Sequence, residues 1–202
     1  MQTLLIASSN PGKLREFQSI LQSLEVQLVL PADIGVSLQV EEDGADYYQN
    51  ALKKALAYCQ ASGLITMADD SGLEVDALNG APGLHSARFS PKPGATDADR
   101  RAFLLEKLAQ QQRPWPAKFH CTLVLALPNG ELFSFEGNCH GQIVSEERGQ
   151  NGFGYDPVFQ LNDRTQTMAE LPEEEKNRLS HRGRAVLAAI PTLKEILKLE
   201  SK

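Results

Sequence analysis

Apolar positions change period several times along the chain. Residues 3–7 read as a buried strand, and Ser8-Ser9-Asn10-Pro11-Gly12 behind them is a turn rich in N-capping residues. Leu14, Phe17, Leu21 and Leu24 then recur at spacings of three and four, which predicts a helix with one apolar stripe. Residues 26–30 read as a second strand. Strand, tight loop, helix and strand in that order predict an α/β unit.

The next helix is expected over 46–62, capped by Asp46 and stopped by Gly63, with Tyr48, Leu52, Ala55, Leu56 and Cys59 on its inner face. Residues 64–68 read as a short buried strand that runs into Asp69-Asp70-Ser71-Gly72, and 73–75 as a returning strand, so the two aspartates are expected at a strand end. After an irregular stretch over 79–94, a surface helix is expected over about 97–112. Residues 119–127 and 131–139 flank Pro128-Asn129-Gly130, the strongest hairpin signal in the chain, because Asn-Gly readily takes positive φ values. A glycine-rich loop over 148–157 and a closing helix over 184–200, with Pro191 as a kink point, complete the pattern. With no repeat, low-complexity segment or linker in view, residues 1–202 read as a single domain.

A chain of 202 residues buries roughly 70% of the surface its unfolded form exposes, enough for a core without disulfides or structural metal. No apolar run exceeds six residues, at 185–190, against the ~20 that a bilayer span needs. Met1 leads straight into the first strand without a leader pattern, so a cytoplasmic protein with no membrane partner is expected. Cys59, Cys121 and Cys139 are widely separated and read as reduced packing residues. The 20 basic against 26 acidic side chains leave a formal charge of −6, which disfavours a nucleic-acid partner. A polyanionic ligand must therefore meet a local cluster of positive charge.

Five segments carry candidate chemistry. Ser8, Ser9, Asn10, Pro11, Gly12 and Lys13 sit where a strand gives way to a helix, whose first amides can bind an anion together with the lysine. The spacing is not that of the GxxxxGK[ST] loop, and an ordinary N-cap and turn is the alternative. Glu41-Glu42-Asp43 and Asp69-Asp70 supply hard oxygen ligands of the kind Mg²⁺ prefers, against a solvated capping run and a hairpin turn as the plain alternatives. The DxD pattern of aspartyl phosphatases is absent. In Asn151-Gly152-Phe153-Gly154-Tyr155-Asp156-Pro157 the aromatics could stack on a planar base or simply plug the core. Lys176, Ser180, His181, Arg182 and Gly183 form a basic cluster ahead of the last helix, where a solvated basic face is the alternative.

Taken in order, SSNPGK at 8–13, ADDSGLEVDAL at 68–78, GFGYDP at 152–157 and SHRG at 180–183, with Gly80-Ala81-Pro82-Gly83 and Ser86-Ala87-Arg88, resemble the inosine triphosphate pyrophosphatase family, the non-canonical purine nucleoside triphosphate (dITP/XTP) pyrophosphatases. The resemblance implies a mixed, elongated α/β sheet flanked by helices, two lobes with an active-site cleft, and a homodimer. It also implies an Mg²⁺-dependent hydrolase that converts ITP, dITP and XTP to the monophosphate and pyrophosphate, cleansing the nucleotide pool. A canonical nucleotide pyrophosphatase or phosphatase on a similar scaffold, or a non-catalytic nucleotide-binding module, stays open as an alternative.

Carried over by motif, Ser8 to Lys13 would hold the triphosphate. Asp70 would be proton acceptor and metal ligand, sharing the metal with Glu41 or Glu42, of which Glu41 is preferred. Ser71, Phe153, Gly154, Tyr155, Asp156, Lys176, His181 and Arg182 would bind the nucleotide, with His181, Arg182 or nearby amides donating to the C6 keto oxygen of the base. Where the family commonly shows Phe-x-Glu-Asn-Ala, this chain has Tyr47-Tyr48-Gln49-Asn50-Ala51, one acid fewer.

Overall fold

The strand, loop, helix and strand order expected at the start of the chain is present in the computed structural model, which describes residues 2–198. β1 (Gln2–Ile6), α1 (Pro11–Leu21) and β2 (Val26–Val29) are followed by α2 (Tyr47–Ser62), β3 (Ile65–Val75) and β4 (Pro82–Gly83). Then come α3 (Asp97–Leu108), β5 (Trp115–Ala126), β6 (Leu132–Ile143), β7 (Phe159–Leu161), α4 (Glu173–Leu179) and α5 (His181–Ile196). Among the described residues seven strands form one mixed sheet in the order β2-β1-β3-β5-β6-β7, with β4 paired to β3. This is an α/β fold.

Two compact units divide the described chain: residues 2–70, 121–137 and 182–198 in the first, and 71–120 and 138–181 in the second. In the first, β1 pairs in parallel with β2 and with β3, so α1 and α2 are the crossovers that parallel strands require. Asn10 caps α1 by accepting from the Gly12 and Lys13 amides, and Pro11 takes the first turn, where a missing N–H costs nothing. Asp46 caps α2 through the Gln49 amide, and Gly63 ends it at φ +70°, its N–H on the Cys59 carbonyl. The inner face of α2 differs from the expected one. Ala51, Ala55 and Cys59 are buried against Ala7, Ala68, Val124 and Ala126, while Tyr48 is exposed.

Alternation along β5 shows why this unit is covered on both sheet faces. Cys121, Leu123 and Leu125 join Leu4, Ile6, Phe17, Leu21, Met67 and the α5 residues Ala185, Val186, Ala189 and Leu193 in one core. Val124 and Ala126 join the α2 cluster instead. On β3 the same alternation sends Met67 to the α1/α5 face and Ala68 to the α2 face. The two aspartates that follow inherit that divergence.

In the second unit β3 pairs antiparallel with β4, and β6 with β7. The core joins Leu73, Val75, Trp115, Ala117, Phe119, Ile143, Tyr155, Val158 and Phe159 with Leu104 and Leu108 of α3. The latter two are fully buried and the rest of α3 is partly or fully exposed, so α3 is the expected surface helix with one apolar stripe, although it ends at Leu108, short of the expected 112.

Three further expectations are corrected. No turn interrupts Asp69-Asp70-Ser71-Gly72: β3 runs unbroken through them, and the expected returning strand 73–75 is its last part. The hairpin after Leu127 has only Gly130 at positive φ, +91°, with Gly130 N donating to Leu127 O and Leu127 N to Glu131 O. That is a three-residue loop closed by a glycine bulge, which Pro128 at the second turn position favours. The closing helix starts at His181, three residues earlier than expected, and residues 199 and 200 of the expected span lie outside the described residues.

Candidate functional site

Successive side chains on a strand point to opposite faces, and β3 uses this to separate two adjacent carboxylates. Asp69, on the α1/α5 side with Met67, accepts from Lys13 Nζ at 2.8 Å and from Arg182 Nε at 3.1 Å, with Cys121 Sγ at 3.9 Å. It is 1% exposed. Burial alone would raise its carboxyl, but the Lys13, Arg182 and Lys54 charges prevail and hold it well below the usual carboxylate range.

Arg182 is itself 1% exposed, and its Nη1 pairs with Glu16 of α1. Burial works against its charge, yet Asp69 and Glu16 raise it further above its ordinary value. The guanidinium thus bridges α1 and β3 from the first turn of α5. Two protein carboxylates, Asp69 and Glu16, hold Arg182 at the start of α5. Lys13 is also committed, and the Gly12 and Lys13 amides already meet Asn10 Oδ1 at 2.9 and 3.2 Å, so the helix start is a capped turn. Ser8 Oγ accepts from the Asn10 amide at 3.2 Å, while Ser9, Asn10 and Pro11 are exposed.

Asp70, on the α2 side with Ala68, has a different environment. Asn50 Nδ2 donates to Asp70 Oδ2 at 2.9 Å, and Gly44 N donates to Asn50 Oδ1 at 2.7 Å, which fixes the amide orientation. Lys54, one helical turn beyond Asn50, donates to the Asp69 carbonyl at 2.7 Å and pairs with Glu42. Burial raises the Asp70 carboxyl above its ordinary value, Glu42 adds to the rise, and Lys54, Asn50 and Lys13 only partly offset it.

The acid drawn into this group from the first acidic patch is therefore Glu42, whereas Glu41 is exposed. Asn50 and Lys54 were missed in the sequence. Their signal is a polar pair spaced i, i+4 on a helix face otherwise lined by alanine. Gln49 lies outside the group, capping the Ala45 amide at 3.1 Å and bonding Asp46 at 3.3 Å.

The second unit holds the other motif residues. Phe153 is half-buried, its amide donating to Asp156 Oδ2 at 2.9 Å, and Lys176 Nζ reaches the same oxygen at 2.7 Å while lying 5.0 Å from the Phe153 ring centre. A side chain at Gly152 would collide with Asp156 Oδ2 at 2.1 Å, so only glycine fits there. Tyr155 is buried and its hydroxyl donates to the Ser86 carbonyl at 2.8 Å; Ser86 Oγ in turn accepts from Leu73 N and donates to Gly83 O. Tyr155 and Asp156 are thus internal supports of the loop, and Phe153 is the aromatic left half-accessible. His181 is 8% exposed and stacks on Phe119 at 4.7 Å and 10°. Ser71 is half-buried in β3.

Among the described residues no group of three or more His, Cys, Asp or Glu side chains could enclose a metal ion, and no helix is long and apolar enough to cross a membrane. All three cysteines are buried thiols outside any disulfide, and burial with the nearby Asp69 charge pushes Cys121 far up.

Comparison with known proteins adds a family to this geometry. The chain is 44% identical over 195 residues to a dITP/XTP pyrophosphatase of Desulfotalea psychrophila, covering 96% of this chain and 86% of that one. It is 46% identical over 190 residues to a dITP/XTP pyrophosphatase of Synechocystis, covering 92% of each. The solved structure of a HAM1 protein from Coxiella burnetii superposes with a TM-score of 0.87 at 40% identity, covering 96% of this chain and 100% of that one. Residues 4–192 match the Ham1 family from end to end of the motifs described above, and the chain belongs to that family.

Proposed function

We propose that this chain hydrolyses the non-canonical purine nucleoside triphosphates ITP, dITP and XTP to the monophosphate and pyrophosphate, clearing them from the nucleotide pool before they enter DNA or RNA. Relatives at 44% and 46% identity that carry the name dITP/XTP pyrophosphatase support the substrate class. The observation that carries the mechanism is the contrast on β3: Lys13 and Arg182 neutralise Asp69, while Asp70 keeps a raised proton affinity beside Asn50 and Lys54.

Water must attack phosphorus in a molecule bearing about four negative charges, so charge compensation precedes help to the nucleophile. Lys13 and Lys54 supply it in the first unit, with the exposed Ser9 and Asn10 and the adjoining Ser8 as the polar edge toward phosphate. Asp70 orients the water and takes its proton for in-line attack at the α-phosphorus, and a carboxyl raised by burial is the better base for that task. Asn50 holds one Asp70 oxygen in place.

Asp70 and Glu42 fit the one or two carboxylates that a phosphate-bound Mg²⁺ takes from protein, its remaining ligands being water and substrate oxygens. Mg²⁺ bound there would neutralise charge on the pyrophosphate leaving group. Glu42 replaces Glu41 in this assignment. In the second unit Phe153 is the stacking platform for the purine. Hydrogen-bond donors around the base, His181 among them, favour a C6 keto oxygen, since a donor left facing an amino group costs about 1–3 kcal/mol. Arg182 acts indirectly, by holding Asp69 and through it Lys13. A cytoplasmic homodimer belongs to the same proposal.

The test incubates purified protein with ITP, dITP, XTP, GTP and ATP, with and without Mg²⁺, and separates the products by chromatography. The expected result is monophosphate plus pyrophosphate from the first three only, and only with Mg²⁺. Orthophosphate as the first product, or ITP bound but unconverted after hours, overturns the reading. Light scattering on the same sample reads the oligomeric state.

A further inference from the structure

Gly154 is gripped on both sides by a helix that none of the motifs includes. Its N–H donates to Asp97 Oδ2 at 2.8 Å, and its carbonyl accepts from Arg101 Nη1 at 2.8 Å. Asp97 is the first residue of α3 and Arg101 lies one turn on, so the two project from the same helix face. Each is anchored in turn. Asp97 pairs with Arg100, whose Nη1 also donates to the Ala95 carbonyl at 2.7 Å, and Arg101 Nη2 pairs with Glu147 at 2.9 Å. The start of α3 is fixed by a capping box between Thr96 and Asp99.

Gly154 sits at φ +62°, in the left-handed region, with open space where a Cβ would stand. Its glycine is thus needed for backbone conformation rather than for close approach. The residue before it is Phe153 and the residue after it is the buried Tyr155. Asp156 holds the Phe153 amide from one side, and the α3 pair holds the Gly154 peptide groups from the other. A half-accessible aromatic ring is thereby carried on a backbone whose polar groups are tied to charged side chains.

We propose that Asp97 and Arg101 are positioning residues that hold the Phe153-Gly154 segment in the conformation that receives the purine. The proposal rests on the reading of Phe153 as the stacking platform and deepens it by naming what keeps that platform in place. Without the grip, the loop would have to be ordered by the nucleotide itself, at the expense of affinity and not of the chemical step.

The experiment measures kcat and KM for ITP in wild type, Asp97→Ala, Asp97→Asn, Arg101→Ala and the Asp97→Ala/Arg101→Ala double variant, together with amide hydrogen exchange at Gly154 in the free protein. Each alanine variant is expected to raise KM about tenfold, as the loss of a charge-assisted hydrogen bond does, with kcat unchanged. Exchange at Gly154 should quicken in both. Asp97→Asn retains an acceptor for the Gly154 amide and should restore most of the affinity. The double variant should fall short of the product of the two single effects, because both act on one segment. Thermal melts confirm that each variant is folded, which the partly exposed Asp97 and the helical position of both residues favour. If wild type converts ITP but both alanine variants keep its KM, or lose kcat instead, the grip has no positioning role. If wild type does not release pyrophosphate from ITP, the functional reading itself fails and the proposal falls with it.

Discussion

Asp69 and Asp70 are adjacent on β3, both buried, and depart from the ordinary aspartate value in opposite directions: Asp69 is held down by Lys13 and Arg182 against the effect of burial, and burial raises Asp70. Strand alternation puts one among cations from α1 and α5 and the other beside an amide and a lysine of α2. The proposed mechanism gives the first a structural role and the second the chemistry.

Replacing Asp70 by asparagine should lower turnover of ITP by at least about a hundredfold, the usual worth of a general base. The introduced side-chain amide can still accept from Asn50 Nδ2, and the substitution removes a carboxylate that burial disfavours. The melting temperature at neutral pH should therefore stay level or rise. Steady-state kinetics and a thermal melt on one preparation check both halves, and a folded variant with full turnover removes Asp70 from the mechanism.

Asp69→Asn should do the opposite. Lys13 and Arg182 would lose their shared counter-charge, and removing one partner of a buried ion pair costs about 3–5 kcal/mol. A group held below its ordinary value contributes stability above that value and loses it as pH falls toward the folded-state value. Denaturant titrations should show the full gap between wild type and variant at neutral pH, narrowing only below the ordinary aspartate value of 3.8. A gap that is constant with pH contradicts the role given to this carboxylate.

Arg182→Ala leaves Glu16 and Asp69 buried without the guanidinium, and the variant should be destabilised by about 3–5 kcal/mol. Arg182→Lys should recover little of this, since an ammonium lacks the fork that reaches two carboxylates at once. Denaturation midpoints decide the point. A fully stable alanine variant with an altered ITP/ATP preference would return Arg182 to direct base contact.

Lys54→Met removes a positive charge that lowers the Asp70 carboxyl. The Asp70 value should then rise further, so the acidic limb of the kcat/KM profile for ITP should move to higher pH. An acidic limb that stays in place separates Lys54 from Asp70.

The elements with local signals were legible in the sequence. Asp46 and Gly63 delimit α2 by capping alone, and the start of α1 follows from Asn10 and Pro11. β3 was misread as a strand with a turn because Asp-Asp-Ser-Gly is turn chemistry by composition. What lets it stay extended are Lys13 and Arg182, far from it in sequence. Motif resemblance singled out segments but not the contacts that each side chain makes. Arg182, Tyr155 and Asp156 bond to other protein groups, and Asn50, Lys54, Asp97 and Arg101 gain meaning only from contacts that span the chain.

Hydrolysis of ITP in heavy-oxygen water tests the central claim most directly, because it records which phosphorus the water attacks. Attack at the α-phosphorus, with Asp70 taking the proton, places the heavy oxygen in IMP and leaves the released pyrophosphate unlabelled. Label in pyrophosphate, or in orthophosphate released ahead of it, would contradict the assignment.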